Sequence, residues 1–333
     1  MNTELKNEFT GLSLRHNAQS QVRMEYTTEQ LALAAIAAMK EQALEDYNAP
    51  LRDFDFQDSF HPENPIHLIM NGAYGADPTM LVRSTVMWTL VTLSLDLMRT
   101  DDLAYVAFDV KYRYRALYQG SLVSRVDPTA SKEKQNDPAV ARPPPKSPVS
   151  LDVIATTEPT NVILQTSPSL KDHPLYELEF SHHPGHVIPR FRVFQSILIL
   201  QLQLGKRDAA SLIGRVSLHS IPYEVWIYMK EVLPGARVHA FQQYHAVAIL
   251  EAIARHQAAR WHRYKELTFK FKADGILIGE GCLTRPVNDR AWCAGLDGRG
   301  VVESLSIGNV SDATDWDHRN GGSPSSRQVV ELV

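Results

Sequence analysis

The sequence predicts an α+β fold of two similar modules, each a buried helix with antiparallel strands. Three observations carry that reading. Residues 80–98 hold Leu81, Val82, Val86, Met87, Trp88, Leu90, Val91, Leu93, Leu95 and Leu97, apolar nearly all round, as a buried helix requires. Val106, Phe108, Val110, Tyr112 and Tyr114 then alternate with Asp109, Lys111, Arg113 and Arg115, the two-residue period of an amphipathic strand. The same order returns at residues 241–261, followed by Leu267, Phe269 and Phe271 alternating with Thr268, Lys270 and Lys272.

Taken in order, residues 1–26 show no sustained period and read as a loose leader. Thr27, Thr28 and Glu29 open a helix that continues through Leu31, Ile36 and Met39 toward Pro50. Residues 51–65 read mostly as loop, and Ile66 to Met70 as a short buried strand before Asn71-Gly72. Asp77-Pro78 is a helix-entry signal, an acceptor at the cap followed by a proline in the first turn. A first α+β module therefore spans residues 27–126. Residues 127–148 hold Arg142-Pro143-Pro144-Pro145-Lys146 and little apolar content, so they read as a Pro-rich linker or long loop. In the second module, residues 149–284, runs on either side of Glu158-Pro159-Thr160-Asn161 predict a hairpin. Tyr176, Leu178 and Phe180 predict a strand, and residues 189–204 fit a helix somewhat better than a strand. The long helix at 241–261 carries a Glu251–Arg255 pair one turn apart. Residues 285–333 are rich in Gly, Ser and Asp and read as a polar C-terminal segment.

The two helix–strand units superpose without a gap at a shift of 161 residues. Val106 then meets Leu267, Lys111 meets Lys272 and Gly120 meets Gly281. The same shift lays Ile36 over Ile197. Two duplicated modules around a shared sheet or a pseudo-twofold axis are the implied architecture.

Composition bounds the function. Hydrophobic residues at 44% and charged ones at 22% are globular values. A formal net charge of -4 gives the whole molecule no strong pull toward nucleic acid, so any basic site is local. Two cysteines, Cys282 and Cys293, are too few for a disulfide framework and read as small packed residues. No secretory leader pattern is present, and Arg83 and Asp96 bracket a run too short to span a bilayer. A soluble, cytoplasmic protein with no membrane partner is the expectation.

Chemistry-bearing residues fall into a few groups. Lys111, Arg113 and Arg115, with Arg263, Lys270 and Lys272, make basic strand faces near aromatic rings, a pattern that suits nucleic acid or another polyanion. His182, His183 and His186 crowd around Pro184-Gly185. They are the ligand set for a divalent metal if that turn folds them together, and otherwise a polar turn after a strand. Asp53, Asp55, Asp58, His61 and Glu63 form an acidic stretch without the spacing of a calcium loop. Gly72 and Gly75 form a bare G-x-x-G between strand and helix, lacking a Walker lysine, and Asp77 beside them repels an anion. No cofactor is expected and no nucleophile motif stands out. The leading expectation is a non-catalytic structural or interaction protein that self-associates. The alternatives are a metal-dependent, hydrolase-type enzyme at His182, His183 and His186, and a polyanion-binding module using the basic faces.

Overall fold

The computed structural model describes residues 2–7, 11–23, 27–58, 65–100, 104–123, 151–155, 161–166, 176–220, 225–232, 240–259, 264–285 and 329–332. The chain divides into two compact units, Met1–Val149 and Ser150–Val333. The expected linker at 127–148 lies outside the described residues, as does most of the polar segment from 285 onward.

In the first unit the elements are β1 (Asn2–Asn7), β2 (Leu12–Arg23), α1 (Thr28–Ala43), β3 (Asp53–Gln57), β4 (His67–Gly72), α2 (Arg83–Thr100), β5 (Ala104–Tyr112) and β6 (Arg115–Val123). Its antiparallel sheet runs β1-β2-β5-β6-β4-β3. The second holds β7 (Leu151–Ala155), β8 (Asn161–Thr166), β9 (Tyr176–Val187), α3 (Arg190–Leu204), β10 (Arg215–Ser220), β11 (Val225–Glu231), α4 (Gln243–Ala259), β12 (Lys265–Ala273), β13 (Ile276–Thr284) and β14 (Val329–Leu332). Its sheet runs β14-β10-β11-β13-β12-β9-β8-β7. Read from the other end, β8-β9-β12-β13-β11-β10 repeats the first sheet strand for strand, with β7 and β14 added at the edges. Each module has its own sheet.

The repetition reaches individual hydrogen-bond registers. A core-facing row crosses the first sheet as His16, Phe108, Gly120, Met70 and Phe54. Its counterpart in the second is Phe180, Phe269, Gly281, Met229 and Val216. Both glycines sit where a Cβ would collide with the ring of the paired phenylalanine (Phe108 or Phe269) and with a neighbouring carbonyl (Ile69 or Tyr228). An aromatic laid over a strand glycine fills the missing side-chain volume in each module. Both last hairpins carry a bulge at the same place, Val110/Lys111 and Phe271/Lys272.

The gapless shift of 161 holds for that hairpin alone. Thr27 and Pro189 are equivalent helix caps, because the amides of Leu31 and Val193 bond back to them. The first helices therefore match at 162, which sets Ile36 over Leu198 rather than Ile197. Insertions between elements account for the drift.

Several sequence expectations change. The supposed leader, residues 1–26, forms the whole of β1 and β2. Asp53–Gln57 is a strand, since Phe54 and Phe56 alternate inward against exposed Asp53 and Asp55. Asp77 caps only a 3-10 turn, Pro78–Met80, with its side chain accepting from the Thr79 amide. The long helix waits until Arg83 because the chain first bridges outward: Val82 pairs with Pro50, and the Leu51 amide donates to the Leu81 carbonyl. Leu212 and Gln242 repeat that bridge in the second module. Residues 190–204 are helical, and α1 opens on a full capping box between Thr27 and Gln30. No helix among the described residues is long and apolar enough to cross a membrane.

A strained cationic–aromatic tip as candidate functional site

At one end of the first sheet, β5 turns into β6 through Arg113 and Tyr114. The sequence reading runs the strand straight through them, but both residues adopt positive φ, 43° and 74°. A two-residue hairpin loop of this hand requires that, and glycine, asparagine or aspartate normally supplies it. The second module shows the ordinary solution at the equivalent place, Asp274 and Gly275 at φ 50° and 76°. In the first module an arginine and a tyrosine hold the same conformation, at roughly 1–2 kcal/mol for each residue with a Cβ. The Arg113 amide donates to the Gly11 carbonyl at 3.0 Å, which helps to lock the turn in place.

What the strain presents is a cluster of cations and rings. Tyr114 is 98% exposed and Tyr74, on the loop that follows β4, is fully exposed. Arg113 and Arg115 are exposed, Lys111 and Tyr112 half-buried. The Arg113 guanidinium stands 5.2 Å from the centre of the Tyr112 ring. The loop bearing Tyr74 is tied to the base of the hairpin, because the Ala73 amide donates to the Leu117 carbonyl at 2.8 Å. Asp77 is the nearby acid. Its carboxyl lies below the usual range mainly because the Thr79 hydroxyl and amide both donate to it, with Arg115 a smaller cause.

Charge pairing separates the two modules. In the second, Lys272 is hydrogen-bonded to Glu179, which with neighbouring Glu177 raises its pKa. Lys270 lies in register between Glu179 and Glu280, and Lys230 meets Glu280 at 3.3 Å. In the first, Lys111 lies opposite Ser13 and Ala116 where Lys272 has Glu177 and Leu277. Among the described residues no carboxylate stands within ion-pair distance of Lys111, Arg113 or Arg115. The six expected polyanion residues thus divide. Lys111, Arg113 and Arg115 gather at one tip, Lys270 and Lys272 sit in a charge-alternating row, and Arg263 lies outside the described residues.

No protein-family model and no curated protein matches the chain. Among solved structures, it is similar to the tandem DUF26 ectodomain of the Arabidopsis thaliana cysteine-rich receptor-like protein PDLP8, at 6% identity and a TM-score of 0.22 over 81% of this chain and 95% of that one. A conserved protein of unknown function with a hot dog fold from Alicyclobacillus acidocaldarius aligns over 86% of this chain and 96% of its own, at 8% identity and a TM-score of 0.13. Neither likeness is close enough to bear on fold or function.

The histidines take other places. His182, His183 and His186 belong to β9 rather than to a turn beyond it, because the strand continues through a bulge opposite β12. The side chains of His183 and His186 lie outside the described ones. His182 Nε2 meets His256 Nε2 at 2.8 Å, and the His256 ring stacks on Phe180 with centres 4.1 Å apart. One imidazole of that pair must therefore accept while the other donates. Among the described residues no three His, Cys, Asp or Glu side chains are grouped to hold a metal ion. In the acidic stretch, Asp55 pairs with His67 at 2.5 Å and Asp58 is buried, while His61 and Glu63 lie outside the described residues.

Sequence reasoning passed over His16 and Asp96. They meet at 2.6 Å between β2 and α2, with side chains 5% and 1% exposed. Eighty positions apart in the chain, they left no local signal. That pair occupies the position of Phe180 and His256, and being closed from solvent it fastens helix to sheet rather than handling a solute.

Proposed function

We propose that the chain is a non-catalytic interaction protein whose binding element is the Arg113–Tyr114 tip of the first module. The observation that carries this is the unfavourable backbone at that turn beside a sister turn that avoids it. Strain that a two-residue change would relieve persists where surrounding contacts hold it and where the side chains it displays are needed. Self-association at β3 draws little support, because Asp53 and Asp55 stand exposed along that edge and repel a second copy. Cys282 is buried and disulfide-bonded, which favours an oxidising compartment over the expected cytoplasm.

The test exchanges the turns. Replacing Arg113→Asp together with Tyr114→Gly installs the second module's own solution. It is expected to stabilise the first module by about 1–2 kcal/mol, a melting rise of a few degrees. A photo-crosslinking residue at position 114 should form intermolecular adducts in cells, and one at position 275 should not. A destabilised exchange variant, or adducts from both positions or neither, overturns the reading.

A further inference from the structure

Resting on that reading, we propose that the tip of the first module binds single-stranded nucleic acid, with Tyr74 and Tyr114 stacking on bases and Lys111, Arg113 and Arg115 contacting phosphates. Two tyrosines stand exposed at one end of one sheet, and an unpaired base has a flat surface that matches their rings. Among the described residues none of the three cations beside them is held in an ion pair, so they can displace counterions from a phosphate backbone. Asp77 is held ionised by the Thr79 amide and hydroxyl and offsets part of the charge of Arg115 alone, so Lys111 and Arg113 carry most of the attraction.

Other occupants fit less well. An acidic peptide would use the cations and leave both rings idle. A duplex hides its bases from stacking, so the rings again find no partner. The whole chain carries a net charge of -4, which confines the attraction to this end and keeps the rest of the molecule off the backbone. In the second module the hairpin tip is Asp274-Gly275 and the lysines Lys272 and Lys230 are paired across strands, so among the described residues the device is not repeated there.

Fluorescence anisotropy on the full chain tests this with a labelled oligodeoxythymidine, a mixed-sequence duplex of the same length, and labelled polyglutamate. Native protein should bind the single strand, and the duplex at least about tenfold more weakly. Tyr74→Ala and Tyr114→Ala should each cost about tenfold. The plot of log affinity against log salt should have a slope of about -2, the value for three phosphate contacts on a single strand. The Arg113→Asp, Tyr114→Gly exchange should abolish binding while its melting transition stays cooperative and rises as expected above, and Lys270→Gln in the second module should change nothing. Equal affinity for duplex, or tyrosine variants that bind like native, overturns the single-strand assignment. Binding of polyglutamate but not oligonucleotide, lost in the exchange, also overturns it while the tip remains the binding element. Oligonucleotide binding that survives the exchange overturns both.

Discussion

Tyr118 shows how much one side chain can hold. Its ring is fully buried on β6 and its hydroxyl donates to the Leu51 carbonyl, joining the sheet to the segment that enters β3. Burial is the main cause pushing its pKa far above the usual tyrosine value, with Asp53 adding to it. Below about pH 10 the phenol is neutral in folded and unfolded chains alike, so its stabilisation is complete. Above that, the unfolded chain ionises first, and stability falls as pH climbs toward the folded value. Tyr118→Phe should cost about 1 kcal/mol at neutral pH for the lost hydrogen bond. It should also flatten the fall above pH 10 in urea titrations followed from pH 7 to pH 11. Native and variant curves that stay parallel to the alkaline end would show that this phenol plays no part in it. Tyr176 and Tyr244, whose hydroxyls meet at 3.1 Å in the second module, are pushed upward mainly by burial too. The alkaline loss in the variant is therefore reduced rather than removed.

Between α2 and β2 the decisive contact is His16–Asp96, and its second-module counterpart is the Phe180–His256 stack. Asp96→Ala should destabilise the first module by about 1–3 kcal/mol, since it leaves a polar imidazole enclosed without its partner. Adding His16→Phe and Asp96→His together instead transplants the second module's solution and should recover part of that loss, read as a melting temperature between those of native and Asp96→Ala. A transplant no better than Asp96→Ala would mean that the two positions are not equivalent in packing. At this scale the sequence was partly legible. α2, β5, α4 and β12 announce themselves because each buries one continuous or alternating apolar set. β6 and β13 do not, since Gly120 and Gly281 interrupt the apolar alternation and only the facing phenylalanines complete it. The turn at Arg113-Tyr114 was hidden for the opposite reason: Tyr112 to Arg115 keeps an unbroken alternation through residues whose backbone reverses. The gapless shift found one hairpin and misaligned α1 with α3, because loops of unequal length change the offset from element to element.

Across the whole molecule the two modules share a plan and differ on their outer sheet faces. In the first, Ser121 and Ile69 on that face are half-exposed. Their register equivalents in the second, Cys282 and Tyr228, are buried beside Trp226. Cys282 is also disulfide-bonded, and Cys293 is the chain's other cysteine. A covalent tie at that face constrains the unfolded chain of the second module and leaves the first untouched, for about 2–4 kcal/mol of stability. Calorimetry of the full chain should resolve two transitions. Reductant should lower one by several degrees, and Asp96→Ala should lower the other. Intact mass should rise by two hydrogens on reduction. If both treatments move the same transition, the modules do not unfold as separate units, and if reductant moves neither, the tie at Cys282 contributes nothing to the covered face.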